Sequence, residues 1–302
     1  KKMRKVISLL LVTLMVFAMV ACSSDTGNSS TAQNSSAAQD SSVAEESSAA
    51  EESAAEESSV ADESSAAEDS SAAEESSAAD AQAEVMSYEE YVAAELDSEV
   101  CVETYVQAKQ SYYAEQQTAT LYTQDEDGAY FVYDASISQE DYDKLEPGTK
   151  IRVTGYKSEW SGEVEIIDGT VEVLDSEDTF VAEALDVTDL LGTDELIDHQ
   201  NQFVSFKGLE VVASIDEANG NAEVPFLYNY NGSGSEGDDL YFNVSKDGET
   251  YTFVIESYLC DSTTEVYQAV QNLAIGDVID MEGYLYWYEG VNPHIVSVTP
   301  AA

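Results

Sequence analysis

Positive charge is what this sequence has least of. Lysine and arginine number 11 against 61 aspartates and glutamates in 302 residues, a formal net charge of −50. Four of the basic residues (Lys1, Lys2, Arg4, Lys5) fall in the first five positions, and residues 85–302 hold seven basic against 45 acidic side chains. Nucleic-acid binders neutralise phosphates with Lys and Arg, so this scarcity disfavours nucleic acid, and an anionic lipid surface, as partners of the folded part. Histidine and cysteine are also rare. His199 and His294 are the two histidines, and neither has a Cys or His at ligand spacing. Cys22, Cys101 and Cys260 form no C-x-x-C pair, so neither a zinc site nor a thioredoxin motif is indicated. There is no G-x-S-x-G elbow and no H-E-x-x-H helix. Carboxylates are so abundant that a glycosidase-like pair arises by chance at any spacing. These absences point to a non-catalytic protein without cofactor or metal.

Two motifs fail on context. Gly232-Ser-Gly234-Ser-Glu-Gly237 fits G-x-G-x-x-G, but Asp238-Asp239 and a strand follow where a dinucleotide site needs a helix. Asp125-Glu-Asp127-Gly128 lacks the ligand spacing of a calcium loop, and a hairpin turn accounts for it.

After the basic start comes an apolar run, Val6 to Ala21, too short for a spanning helix and suited to the core of an export signal. It ends at Met19-Val20-Ala21-Cys22-Ser23-Ser24. That ending resembles the bacterial lipoprotein signal, with Met19 where Leu is commoner. The resemblance implies cleavage before Cys22, lipid on its sulfur, and an extracellular protein anchored to the outer face of the cytoplasmic membrane. Residues 1–22 are thus read as signal peptide.

Residues 23–84 are almost wholly Ser, Ala, Glu and Asp, with a recurring unit such as Ser70-Ser-Ala-Ala-Glu-Glu75. Nothing larger than Val43 and Val60 is available to bury, so a disordered acidic linker is expected. As a flexible coil it would span roughly 45 Å.

The remainder contains a repeat. Leu145 to Tyr156 matches Leu273 to Tyr284 at an offset of 128 positions, with Gly148, Gly155 and Gly162 answering to Gly276, Gly283 and Gly290. Upstream, Asp127-Gly128 and Asp247-Gly248 each separate alternating apolar runs, the signature of a type I′ hairpin. Further back, Val100-Cys-Val102 aligns with Val204-Ser-Phe206. Each copy inserts a short helix before its Gly-containing strand, from Ser138 to Leu145 and after Ser262-Thr-Thr-Glu265, where a capping box is expected. Another capping box, Ser87 with Glu90, opens a helix over residues 85–96. Short helical turns are expected over 186–197, and an extra excursion over 216–239.

The order of strand, hairpin, helix, hairpin resembles the OB-fold, a five-stranded Greek-key barrel; an SH3-like barrel is the rival. The expected architecture is mostly β, with two tandem OB-like barrels, each carrying a short helix, at 85–178 and 179–302. Tandem OB-like modules behind such a signal resemble surface lipoproteins of Gram-positive bacteria.

The aromatics suggest a ligand face. Alternation from Ile279 to Tyr288 places Tyr284, Tyr286 and Tyr288 on the side opposite Ile279, Met281 and Leu285, and Tyr156 with Trp160 gives a smaller version in the first copy. OB modules bind oligosaccharides or oligonucleotides. Aromatic rings beside carboxylates suit a glycan, a peptide or a surface protein, and suit nucleic acid poorly. The expected function is a non-catalytic surface lipoprotein binding such a partner, with an oligonucleotide-binding protein and a ligand-free spacer as alternatives.

Overall fold

The computed structural model describes residues 84–301. The expected signal peptide, the lipid on Cys22 and the linker up to residue 83 lie outside the described residues.

The first element, α1 (Tyr88–Ala93), forms the expected capping box: the Ser87 hydroxyl accepts from the Glu90 amide at 3.3 Å, and the Glu90 carboxylate accepts from the Ser87 amide at 2.9 Å. Six residues are too few for a helix to hold itself. Tyr91 packs on Tyr130 with ring centroids 4.9 Å apart, and Lys157 closes the other end. Its ammonium donates to the carbonyls of Tyr91, Val92 and Ala94 at 3.0, 2.8 and 3.0 Å, groups a helix C-terminus leaves without partners. Replacing Lys157 with methionine is expected to destabilise the fold by about 2 kcal/mol and to expose 84–97 to proteolysis. Unchanged urea stability and protection would contradict this.

The first barrel contains β1 (Glu99–Lys109), β2 (Thr118–Gln124), β3 (Ala129–Ser136), α2 (Gln139–Lys144), β4 (Lys150–Trp160) and β5 (Glu163–Val173). The strands close in the order β1-β2-β3-β5-β4, with β3 and β5 parallel and β4 antiparallel to β1. This five-stranded Greek key, with its helix between the third and fourth strands, is the OB-fold, and it sets the SH3-like alternative aside. Val102, Leu121, Val132, Ile151, Val153 and Ile166 fill the interior.

A connector follows, with β6 (Leu185–Asp186) and two 3-10 turns, Thr188–Leu190 and Asp194–His199. The expected boundary at 178/179 falls within a stretch that Gln107 ties to the first barrel. Its amide donates to the Phe180 carbonyl at 3.0 Å and its oxygen accepts from the Ala182 amide at 2.8 Å.

The second half contains β7 (Phe203–Val212), β8 (Ser214–Asp216), β9 (Ala222–Val224), β10 (Leu227–Tyr228), β11 (Leu240–Lys246), β12 (Glu249–Ile255), α3 (Glu265–Gln271), β13 (Val278–Tyr284) and β14 (His294–Pro300). Strands β7, β11, β12, β14 and β13 close a second barrel of the same plan, with β12 and β14 parallel. The excursion supplies the β8–β9 hairpin and β10, which extends the edge of β11.

The repeat is visible in the register. Val100 pairs with Gly155, and its counterpart Val204 pairs with Gly283. Both glycines sit at bulges where a Cβ would come within 2.7 Å of the Ile167 carbonyl oxygen or 2.4 Å of that of His294. The close approach of two strands, with no room for a side chain, explains why glycine recurs at that point.

Two local expectations are corrected. Asp247 and Gly248, with φ of 54° and 88°, form the two-residue I′ turn, but Asp127-Gly128 does not. There the turn spans four residues, and the Asp125 carboxylate accepts from the amides of Asp127 and Gly128 at 2.8 and 2.9 Å. An Asx turn replaces the positive-φ pair. The cap of α3 is Thr264 and not Ser262, because Asp261 engages Thr263 and delays the helix by two residues. Cys101 and Cys260 are both buried free thiols.

Candidate functional site

The two barrels belong to one compact unit and meet along a seam of aromatic rings. Tyr122 on β2 stacks on Tyr284 at the end of β13, centroids 4.6 Å apart. Its hydroxyl accepts from the Gln110 amide at 3.1 Å and meets Nδ1 of His294 at 2.6 Å. Burial lowers His294 to about 3, so its ring is neutral at physiological pH. Tyr286 stacks on the other side of His294 at 4.2 Å and meets Phe131 edge-on at 5.2 Å.

A second tie joins the β4–β5 hairpin to the second barrel. Glu163 is fully buried, and one carboxylate oxygen accepts from the Trp287 amide at 2.8 Å and the Gln200 amide group at 3.2 Å. Its other oxygen has no partner. Burial pushes its pKa up to about 9, so Glu163 is a neutral acid at pH 7. The Trp287 ring lies against Gly162, and the Glu289 amide donates to the Ser161 carbonyl at 2.8 Å.

Above this seam lies an open groove of about 950 Å³. From the first barrel it takes the outer face of β2 and β3, the loop joining β1 to β2, and the β4–β5 hairpin. In an OB barrel this face and these two loops form the ligand surface. Phe131, Tyr133 and Asp134 form the β3 part, Tyr112 and Tyr113 the first loop, and Trp160 the hairpin tip. The second barrel contributes Glu256, Tyr258, Tyr286 and His294. The first loop is held in place from both sides: Tyr112 donates to the Ile137 carbonyl at 3.1 Å, and the Ser111 amide to that of Tyr258 at 2.8 Å. A preformed loop lowers the ordering cost of binding.

Among the described residues no lysine or arginine lines the groove. All seven in the described residues are engaged elsewhere. Lys109 and Lys157 bond backbone carbonyls, and Lys144, Lys150, Arg152, Lys207 and Lys246 pair with carboxylates. Three acids do line it, Asp134, Glu165 and Glu256. Burial, with help from Asp239, pushes Glu256 up to about 7, and burial alone raises Glu165. Among the described residues no His/Cys/Asp/Glu cluster could hold a metal. Cys260 is pushed up to about 12 by burial and stays a thiol, the wrong form for a nucleophile.

The five aromatics expected at a ligand face have different fates. Trp160 (59% exposed) and the half-buried Tyr286 both line the groove. Tyr284 is only 6% exposed and serves the seam instead. Tyr288 and Tyr156 are exposed but lie outside the groove lining. The physical reason is that β13 ends at Tyr284. The Tyr286 amide turns back to the Tyr284 carbonyl at 2.8 Å, so strand alternation does not reach Tyr288. Tyr133, Tyr258, Glu165 and Glu256 were missed by the sequence reading. Alternation along β5 sets Glu163 and Glu165 on the face opposite Val164 and Ile166, which point into the barrel, but does not separate them from the many exposed acids.

No protein-family model and no curated protein matches the sequence. Among solved structures, the chain is similar to a replication protein A heterotrimer bound to ssDNA, with 11% identity over 68% of this chain and 49% of that one, at a TM-score of 0.26. It is also similar to a murine DNA-binding protein bound with ds DNA, with 14% identity, coverage of 67% and 96%, and a TM-score of 0.30. A HINa domain in complex with dsDNA gives 13%, 68% and 100%, and 0.29. The chain spans about half the length of the replication protein A chain. The OB assignment rests on strand order and pairing.

Proposed function

We propose that this chain is a non-catalytic lipoprotein, anchored outside the cytoplasmic membrane through Cys22, whose inter-barrel groove binds a carbohydrate. The observation that supports the ligand reading is the composition of the groove: exposed aromatic faces beside carboxylates, on the OB ligand surface, with no basic side chain. Sugar CH faces stack on aromatic rings, and sugar hydroxyls donate to carboxylates and amides. Gln110, Gln116 and Thr120 add neutral polar partners to the lining. Peptide and protein ligands share part of this chemistry and are the second class to test.

OB barrels also take oligonucleotides on this surface, which makes nucleic acid the rival. A DNA strand in the groove would meet three acids and no cation, so stacking would have to act without the electrostatic contribution that dominates such binding.

A carbohydrate array, with a peptide set and oligonucleotides at low salt, separates these readings. Binding of a carbohydrate by the native chain, weakened about tenfold or more in Trp160→Ala and Tyr286→Ala, is the expected result. Oligonucleotide binding that falls steeply with added salt would replace the reading. The anchoring part has its own test. Cys22→Ala should leave the signal uncleaved and the chain without lipid, as read by intact mass after membrane extraction; an unmodified native chain would refute the anchor.

A further inference from the structure

We propose that the Glu165 carboxylate receives a positive charge carried by the ligand, so that the groove selects an amino sugar with a free amine over its neutral, N-acylated counterpart. This rests on the carbohydrate reading and narrows it to one chemical class.

The three acids of the groove are not equivalent. Asp134 is held from within, accepting from the Thr118 hydroxyl. Glu256 accepts from the Leu259 amide at 2.8 Å. Glu165 is only 8% exposed, lines the cavity, and among the described residues meets no hydrogen-bond donor and no cation. A buried carboxylate without a partner is costly, and such groups are ordinarily paired. Among the described residues no lysine or arginine is free to pair it, because all seven are engaged elsewhere. Its carboxylate is open to the groove, where a ligand can take the place of water.

The surroundings fit an ammonium. Burial raises the Tyr286 hydroxyl, and Glu165 lies near enough to add to that shift. Tyr133 and Trp160 add exposed rings to the same cavity, and a cation is attracted to such faces as well as to the carboxylate. Ammonium on carboxylate in a partly desolvated site gives a charge-assisted hydrogen bond of roughly twice the usual strength. An amino sugar combines that ammonium with CH faces for the rings and hydroxyls for Gln110, Gln116 and Thr120. A lysine side chain offers the charge without the rest.

The test titrates the full chain, held in detergent, with a glucosamine tetramer, the matching N-acetylglucosamine tetramer and tetralysine. The free-amine sugar is expected to bind about tenfold or more tightly than the N-acetylated one. Glu165→Gln should abolish that preference, and a urea denaturation curve reports that the variant is folded. The acidic surface draws any polycation weakly, so the preference lost in Glu165→Gln is the diagnostic quantity. Equal binding of the two sugars by the native chain, or a preference that survives Glu165→Gln, would overturn the proposal and leave the carbohydrate reading intact. Binding of tetralysine alone would overturn both in favour of a basic peptide. Binding of no sugar and no peptide would defeat the reading on which the proposal rests.

Discussion

Glu163→Gln should stabilise the folded part at pH 8 and leave it nearly unchanged at pH 4. The native carboxyl has a pKa of about 9 against 4.5 in an unfolded chain, because it is buried at the junction of the barrels. Below pH 4.5 both states hold the proton and its full contribution to stability is present. As pH rises, the unfolded state sheds the proton while the folded state keeps it. Stability then falls by about 1.4 kcal/mol per pH unit until the folded group ionises near pH 9. A neutral amide removes that slope, and at pH 8 the gain has a ceiling of about 5 kcal/mol. Glu256, raised to about 7, adds a second slope of the same sign between about pH 4.5 and 7, which should persist in the variant. Urea denaturation of both proteins across pH 4 to 9 measures the difference. Parallel stability curves would show that Glu163 is not a buried neutral acid.

The second large effect concerns the seam. Tyr284 is buried between the barrels, stacked on Tyr122 and 5.3 Å from the Phe203 ring. Tyr284→Ala should cost about 3–5 kcal/mol, the range for deleting a large buried aromatic. Because the lost contacts join two barrels, the single unfolding transition of the native chain should separate into two. Tyr122→Phe should cost about 1–3 kcal/mol by leaving the buried Nδ1 of His294 without its hydrogen-bond partner. Calorimetry reads both. A Tyr284→Ala variant that melts in one transition at the native temperature would show that the barrels fold independently of this contact.

Much of this architecture could be read before any coordinates. The glycine repeat marked the strands correctly because Gly155 and Gly283 answer a local demand, a bulge with no room for Cβ. The cap at Ser87 and the helix start near Ser138 were legible because both serines satisfy adjacent backbone amides. What the sequence hides is the packing of one barrel on the other. Tyr284 and Tyr286 look alike as neighbours on a strand, but one fills the seam and the other lines the groove. The abundance of acids concealed Glu163 and Glu165 in the same way. Nothing local separates a carboxylate covered by a distant segment, here Gln200 and Trp287, from the many that face water. Strand alternation placed them together, but only the second barrel makes them buried.

If ligand enters the groove between the barrels, as proposed, the two tryptophans report on it directly. Trp160 stands exposed at the groove, whereas Trp287 is half-buried against Gly162 outside it. Titration of the array-selected carbohydrate should change tryptophan emission in the native chain and in Trp287→Phe, and the change should vanish in Trp160→Phe. A full emission change in Trp160→Phe, with none in Trp287→Phe, would place the ligand elsewhere and contradict the account.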